Sequence, residues 1–373
     1  MNKKMLDLYS DYLLASGGGQ VTATGLSNLL DGAVSHDSVT RFLKGDGQPP
    51  TAREWWRTVK PLIRRIESEE GTLIIDDTIA EKPYSEENPI ICWHFDHSKG
   101  RNLKGINLLT LLYTAQVGPE EDDIMNVPLS FELIEKTEWE TWTDDKGREQ
   151  HRRVSAKSKN ERFREMLLQA RTNQVRYRFV VADSWFASKE NMTLIKRELG
   201  KDFVMPLKRN RKVALSLKDK RNGCWKQVDT LDCPEGTAKE VWLEGVDFPL
   251  LLVRQVFTNK DGTQAALYLV TSDTTSGFEQ TTGIYHKRWK VEEYHKSIKQ
   301  NASATKSPAH TQATQCRHLL CCLYAFTKLE RLKLASGLNH FALKSKLYYA
   351  GLSRALKALH SLRPIPLHQL APA

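Results

Sequence analysis

Apolar positions recur at helical spacing through residues 1–70. Within that stretch, residues 24–30, a break at Asp31 and Gly32, and residues 35–44 read as helix, turn, helix. Ser35 is the expected N-cap, and Leu26, Leu29, Leu30, Val39, Phe42 and Leu43 supply the contact between the two helices. A breaker at 45–50 precedes a further helix over 52–69, with a kink or break expected at Pro61. From Gly71 the texture turns to β. Residues 72–78 (TLIIDDT) and 177–183 (YRFVVAD) are short apolar strands ending in carboxylates, and 106–117, 128–134 and 203–207 are further strands. An acidic loop at 119–123 separates the strands 106–117 and 128–134, and 157–171 and 188–199 are amphipathic helices. The stretch 208–265 is broken into short β segments and turns. Residues 265–271 return to strand, 281–300 and 311–334 are long helices, and the last forty residues are basic and helical, fraying from Pro364.

Strands followed by alternating helices and strands predict an α/β fold, a mixed sheet with helices on both faces. The expected organisation is an N-terminal helical domain over 1–70, a central α/β domain over 71–335 interrupted by a β-rich insertion at about 208–265, and a C-terminal helical tail over 336–373. No internal repeat stands out.

Charge sharpens the picture. The net charge is +10. Residues 201–226 carry nine Lys/Arg against two Asp, and residues 285–333 carry ten against three Glu, so the positive charge is concentrated in two patches. Such patches suit a polyanion, and phosphate is the usual one. Candidate contacts are Lys208, Arg209 and Arg211 in the first patch and Arg41 on the second helix of the helix-turn-helix. No uncharged apolar run approaches the ~18 residues of a membrane span. Asp7 and Asp11 interrupt what a signal peptide would keep apolar. Six cysteines without a CxxC pair read as reduced thiols of a cytoplasmic protein.

The candidate chemistry rests on carboxylates. Asp77 and Asp183 end apolar strands, where a carboxylate reaches a shared metal without entering the core. Alternation does not choose between Asp77 and its neighbour Asp76, because 73–75 is apolar on both faces. On a helical wheel over 281–300, Tyr285, Arg288, Glu292 and Lys299 share an arc of about 60°. Ile284, Val291, Tyr294 and Ile298 form the buried stripe beside it. Trp289 points away from that stripe, among Lys287, Arg288, Lys290 and Lys296, which suits stacking on an unpaired base beside phosphates. Three carboxylates from two strands and a helix, with basic patches, fit two-metal phosphoryl transfer with Mg2+.

Tyr285-x2-Arg288-x3-Glu292-x6-Lys299 resembles the YREK signature of the insertion-sequence-four family of DDE transposases. Asp77 in IIDDT, directly before Thr78, and Asp183 in VVADSWF resemble that family's first and second aspartates. The resemblance covers roughly residues 70–335 and implies a ribonuclease H-like fold carrying a β-rich insertion between Asp183 and Glu292. It further implies catalytic and metal-holding roles for Asp77, Asp183 and Glu292, with two Mg2+ ions and Mn2+ able to substitute. Tyr285, Arg288 and Lys299 would contact phosphates at the DNA end, and the Trp289 region would hold a flipped base. Tyr268 and Trp242 are candidates for the aromatic of the insertion that receives that base. The implied activity is cut-and-paste transposition: nicking at terminal inverted repeats, hairpin formation and opening, and strand transfer to target DNA. The implied partners are double-stranded DNA and a second copy of the chain in a synaptic homodimer, without membrane or nucleotide cofactor.

A ribonuclease H-like nuclease without strand transfer would use the same carboxylates. A domesticated DNA-binding repressor would have a broken triad, yet all three positions are carboxylates, and a nucleoid-binding structural role leaves Glu292 unexplained. Cys92-x-His94-x2-His97 lacks a fourth zinc ligand, Cys321 and Cys322 lie in an apolar helix, and Ser184 has no nearby base. Gly17–Gly19 is a flexible break, and no Walker-type glycine loop is present.

Overall fold

The computed structural model describes residues 2–96, 99–120, 123–258 and 261–362. His97, part of the acidic loop and the tail from Pro364 lie outside the described residues. Four helices come first: α1 (Lys3–Ala15), α2 (Ala23–Leu29), α3 (His36–Lys44) and α4 (Ala52–Ile66). Each opens on a side chain that accepts a backbone N–H of its first turn, namely Asn2, Thr22, Ser35 and Thr51, and Glu54 completes a capping box on Thr51. Pro61 does not break α4. It sits on the exposed side, where the carbonyl it leaves unpaired can meet water.

The β region opens with β1 (Thr72–Glu81), β2 (Cys92–Asp96), β3 (Arg101–Gln116) and β4 (Ile124–Leu133). A separate hairpin of β5 (Glu138–Thr143) and β6 (Glu149–Val154) precedes α5 (Lys159–Thr172). Next come β7 (Phe179–Val181), α6 (Lys189–Thr193, widening into a π turn through Glu198) and β8 (Asp202–Leu207). The segment after it holds β9 (Lys212–Ala214), α7 (Leu217–Arg221), β10 (Lys226–Gln227), β11 (Ala238–Leu243) and β12 (Leu250–Thr258). The chain closes with β13 (Gln264–Thr271), α8 (Phe278–His286), α9 (Trp289–Gln300), α10 (Gln312–Ser336) and α11 (His340–Ser361).

The strands form one mixed sheet in the order β10-β9-β11-β12-β13-β8-β7-β1-β3, with β2 and β4 both pairing along β3. Pairing is antiparallel across β4, β3 and β1, parallel across β1, β7 and β8, and antiparallel again from β8 through β13 outward. The β-rich stretch expected at 208–265 holds β9 to β12, which extend this sheet beyond β13. The centre is covered on both faces, since β3 is buried almost throughout. Trp55 of α4 donates its indole N–H to the Pro128 carbonyl at 3.0 Å, and Tyr9 of α1 lies 3.1 Å from His318 of α10. The N-terminal helices therefore share one apolar core with the sheet and α10.

Three local departures matter. Strand β1 runs on to Glu81, so Asp76 and Asp77 are mid-strand, because the antiparallel ladder to β3 continues through Glu81 and Gly105. The helix expected over 281–300 is two helices, α8 and α9, joined by tightened turns in which the N–H of Arg288 reaches only back to Tyr285 and that of Val291 to Arg288. Strand β2 and the β5–β6 hairpin had no counterpart in the sequence pattern, since the hairpin is exposed along β5 and shows no apolar alternation. No described helix is long and apolar enough to cross a membrane, and all six cysteines are unpaired.

Candidate active site

Neighbours on a strand point to opposite faces, and β1 uses this to separate two carboxylates. Asp76 pairs across to Thr110, whose hydroxyl lies 3.1 Å from that of Tyr294 on α9, so Asp76 faces α9. Asp77 faces the other way. It accepts 2.7 Å bonds from Asn107 Nδ2 and from Lys159 Nζ at the start of α5. Helix α9 lays Glu292 and His295, one turn apart, over Asp76. One ligand atom from each of Asp76, Glu292 and His295 lies within 4.8 Å of the other two. Arg288 bridges the carboxylates, its Nη1 3.5 Å from Asp76 and 3.3 Å from Glu292.

Asp183 follows the end of β7, beside β1 in the parallel part of the sheet. Its carboxylate accepts the Trp185 N–H at 2.9 Å. Burial pushes Asp76 up to about 7, and the charges of Asp77, Asp183 and Glu292 add to that. Burial also raises Asp183 despite the N–H groups of Trp185 and Phe186. Burial, with the charge of Lys299 behind it, lowers His295 to about 3, so its imidazole is neutral. The acids therefore repel one another, with Arg288, Lys159 and Lys299 as the cations beside them. Two carboxylates and a neutral imidazole form a donor set that fits a divalent cation, and the buried Nε2 of His295 has no hydrogen-bond partner among the described residues.

The other expected residues distribute as follows. Tyr285 is half-buried with the Arg288 guanidinium 5.9 Å from its ring, and burial raises its hydroxyl above the ordinary value. Trp289 is 56% exposed, with Arg288 5.6 Å from its ring. Lys299 is half-buried, and burial followed by the charge of Lys99 lowers its ammonium. Lys208 and Arg209 are exposed after β8, whereas Arg211 donates to the Ala187 carbonyl at 3.0 Å. Arg41 is exposed on α3. Tyr268 is buried in β13, and Trp242 is half-buried with Lys220 Nζ 4.6 Å from its ring.

Sequence reasoning passed over His295, Lys159 and Asn107. His295 carried a readable signal, its spacing of three from Glu292, which puts two donors on one helix face. Lys159 and Asn107 carried none, because only the sheet brings them to Asp77.

Residues 1–223 match a family described as DDE superfamily endonuclease, and residues 152–326 match one described as Transposase DDE domain. No curated protein matches the chain. Among solved structures, the Drosophila P element transposase strand transfer complex is similar over 53% of this chain and 36% of that chain, at 10% identity and a TM-score of 0.25. The chain thus spans little more than a third of that structure's chain, and a likeness this slight carries no argument.

Proposed function

The chain belongs to the DDE superfamily endonucleases, and from that premise we propose that it is a cut-and-paste transposase acting on the inverted repeats of its own element. The observation that carries this reading is the cluster of Asp76, Glu292 and His295, with Asp183 beside it and Arg288 across its mouth. Asp76, Asp183 and Glu292 would hold two Mg2+ ions, or Mn2+ in their place. Bound there, divalent cations polarise the scissile phosphate and lower the pKa of an attacking water. On this reading Asp76 would stand where Asp77 was expected, because Asp77 faces α5 and is engaged by Lys159 and Asn107.

The chain's own groups would do the rest. Arg288, freed from its carboxylates by the cations, would clamp a phosphate oxygen with Tyr285 and Lys299. Trp289, exposed beside it, would stack on a base displaced when the DNA end folds into a hairpin. The order β4-β3-β1-β7-β8, antiparallel then parallel, supports a ribonuclease H-like core with β9 to β12 as the insertion. Helices α2 and α3, joined through Asp31 and Gly32 in left-handed backbone, would present Arg41 to DNA as a helix-turn-helix. Synapsis of two ends calls for two copies of the chain. The YREK resemblance at Tyr285, Arg288, Glu292 and Lys299 supports the hairpin route.

The test is a labelled terminal-repeat duplex incubated with protein, divalent metal and target plasmid. Nicks, hairpin ends and joined products in succession are expected. Nicked products that never join would make the protein a nuclease of the same fold.

A further inference from the structure

We infer that His295 is a direct ligand of the cation at this site, and that the set of two carboxylates and one imidazole favours Mn2+ over Mg2+. The inference rests on reading Asp76 and Glu292 as metal ligands. Glu292 and His295 lie three residues apart on α9, the spacing by which one helix supplies a carboxylate and an imidazole to a single metal in carboxylate-bridged bundles. His295 is 5% exposed, and its Nε2 has no hydrogen-bond partner among the described residues. A buried polar nitrogen left in that state costs about 1–3 kcal/mol, so an unpaired imidazole beside two acids calls for a third party. The contact of its ring with Tyr294, 5.2 Å between centroids, fixes its plane without satisfying its nitrogen.

The geometry suits a cation in particular. Donor atoms that share one such cation lie at most about 4.2 Å apart, twice a ligand bond of about 2.1 Å. The donor atoms of Asp76, Glu292 and His295 are within 4.8 Å of one another, so small side-chain rotations close the set. A water bridging the same atoms would leave the surplus negative charge of the carboxylates in place. Mg2+ takes oxygen ligands and gives up its waters reluctantly, whereas imidazole suits the first-row transition ions. A nitrogen in the set therefore tilts selection away from Mg2+ toward the first-row transition ions, of which Mn2+ is the one that shares the carboxylate preference of Mg2+.

The full-length, metal-free protein is titrated with Mn2+ while the electron paramagnetic resonance signal of free Mn2+ is followed, and the bound ion is then examined for nitrogen modulation by pulsed resonance. Modulation from an imidazole nitrogen is expected in the wild type. His295→Gln should abolish it and weaken Mn2+ binding roughly ten- to a hundredfold, with a much smaller change in the Mg2+ affinity obtained by competition. Bound Mn2+ without nitrogen modulation in the wild type overturns the inference, whether or not the variant folds. If Asp76→Asn and Glu292→Gln still lose Mn2+ in that case, the metal site itself stands without the histidine. Mn2+ binding unchanged in both carboxylate variants overturns the inference together with the reading of the site.

Discussion

Helix α9 contributes to two polar clusters, and they differ in how their carboxylates are compensated. Toward β1 it presents Glu292 and His295 to Asp76, where carboxylates outnumber their cations and His295 Nε2 has no hydrogen-bond partner among the described residues. Toward α10 and α11 its Ser297 hydroxyl lies 2.8 Å from His340 Nδ1. The Nε2 of His340 is 3.0 Å from Glu330, which also accepts from the Asn126 backbone at 2.7 Å and pairs with Lys333 at 3.0 Å. Burial alone would push Glu330 up, but His340, Lys333 and the Asn126 N–H hold it below the ordinary carboxylate value. Asp76, equally enclosed, is pushed the other way. A cluster whose carboxylate is compensated within the protein ties helices together. One whose carboxylates are not stores repulsion that an external cation can relieve.

Activity gives the largest expected contrast. Asp76→Asn and Glu292→Gln should each cut metal-dependent DNA cleavage by at least about a thousandfold, ~4 kcal/mol in the barrier, with DNA binding nearly intact. Asp77→Asn, which loosens only Lys159 and Asn107, should cost about tenfold. Measured single-turnover nicking rates decide between them. A dead Asp77→Asn beside an active Asp76→Asn would reverse the assignment on β1.

Stability gives the opposite contrast. Glu330→Ala removes one side of a buried charge network and should lower stability by about 3–5 kcal/mol, read in thermal or urea unfolding. Nicking by the fraction still folded should stay near the wild-type rate. A variant that unfolds no earlier but cleaves poorly would place Glu330 in the chemistry instead of the architecture.

Trp289→Ala probes the rim of the Asp76 cluster. The first nick needs only metal and water and should be nearly normal, whereas hairpin formation and opening should slow roughly ten- to a hundredfold, the loss of about 1–3 kcal/mol of stacking. Equal loss in every step, without partial rescue by an abasic site at the displaced position, would make Trp289 part of the architecture.

Legibility in the sequence follows the same division. Apolar periodicity found α2, α3, α5, β7, β8, α10 and the covered sheet, because burial writes itself into residue type. It put Trp289 outside the core, where its exposure agrees. It stopped at Asp76 and Asp77, since Leu73, Ile74 and Ile75 are all buried and a strand covered on both faces has no alternation to read. It joined α8 to α9, because the tightened turns at Lys287 and Arg288 need no glycine or proline to announce them. The β5–β6 hairpin escaped for the opposite reason, as Trp139 and Trp142 are exposed and meet arginines, 4.6 Å and 5.3 Å from their rings, instead of a core.

The smallest expected effect, and the one that sets the two clusters directly against each other, is the pH dependence of stability in metal-free protein. Asp76 has a folded value of about 7 against an ordinary 3.8. Below about pH 4 both the folded and unfolded chains hold its proton, so it costs nothing there. Between about pH 4 and 7 the unfolded chain releases a proton that the folded one keeps, and stability falls with rising pH until it levels above 7. Asp76→Asn removes that slope. It should match the wild type near pH 4 and be more stable at pH 8, on the order of 2 kcal/mol after discounting for relaxation of the neighbouring charges. Glu330 is shifted downward, so its contribution is present above the ordinary carboxylate value and is lost as the pH falls through its folded value. Glu330→Gln should therefore be less stable than the wild type at pH 8 and approach it in acid. Saturating Mn2+ should flatten the Asp76 slope in the wild type and leave the Glu330 slope alone, because only the first cluster takes a cation. Urea unfolding at four pH values, with and without metal, reads all of this. Parallel pH profiles for Asp76→Asn and Glu330→Gln would mean that the two clusters are alike and that the repulsion at β1 is relieved inside the protein.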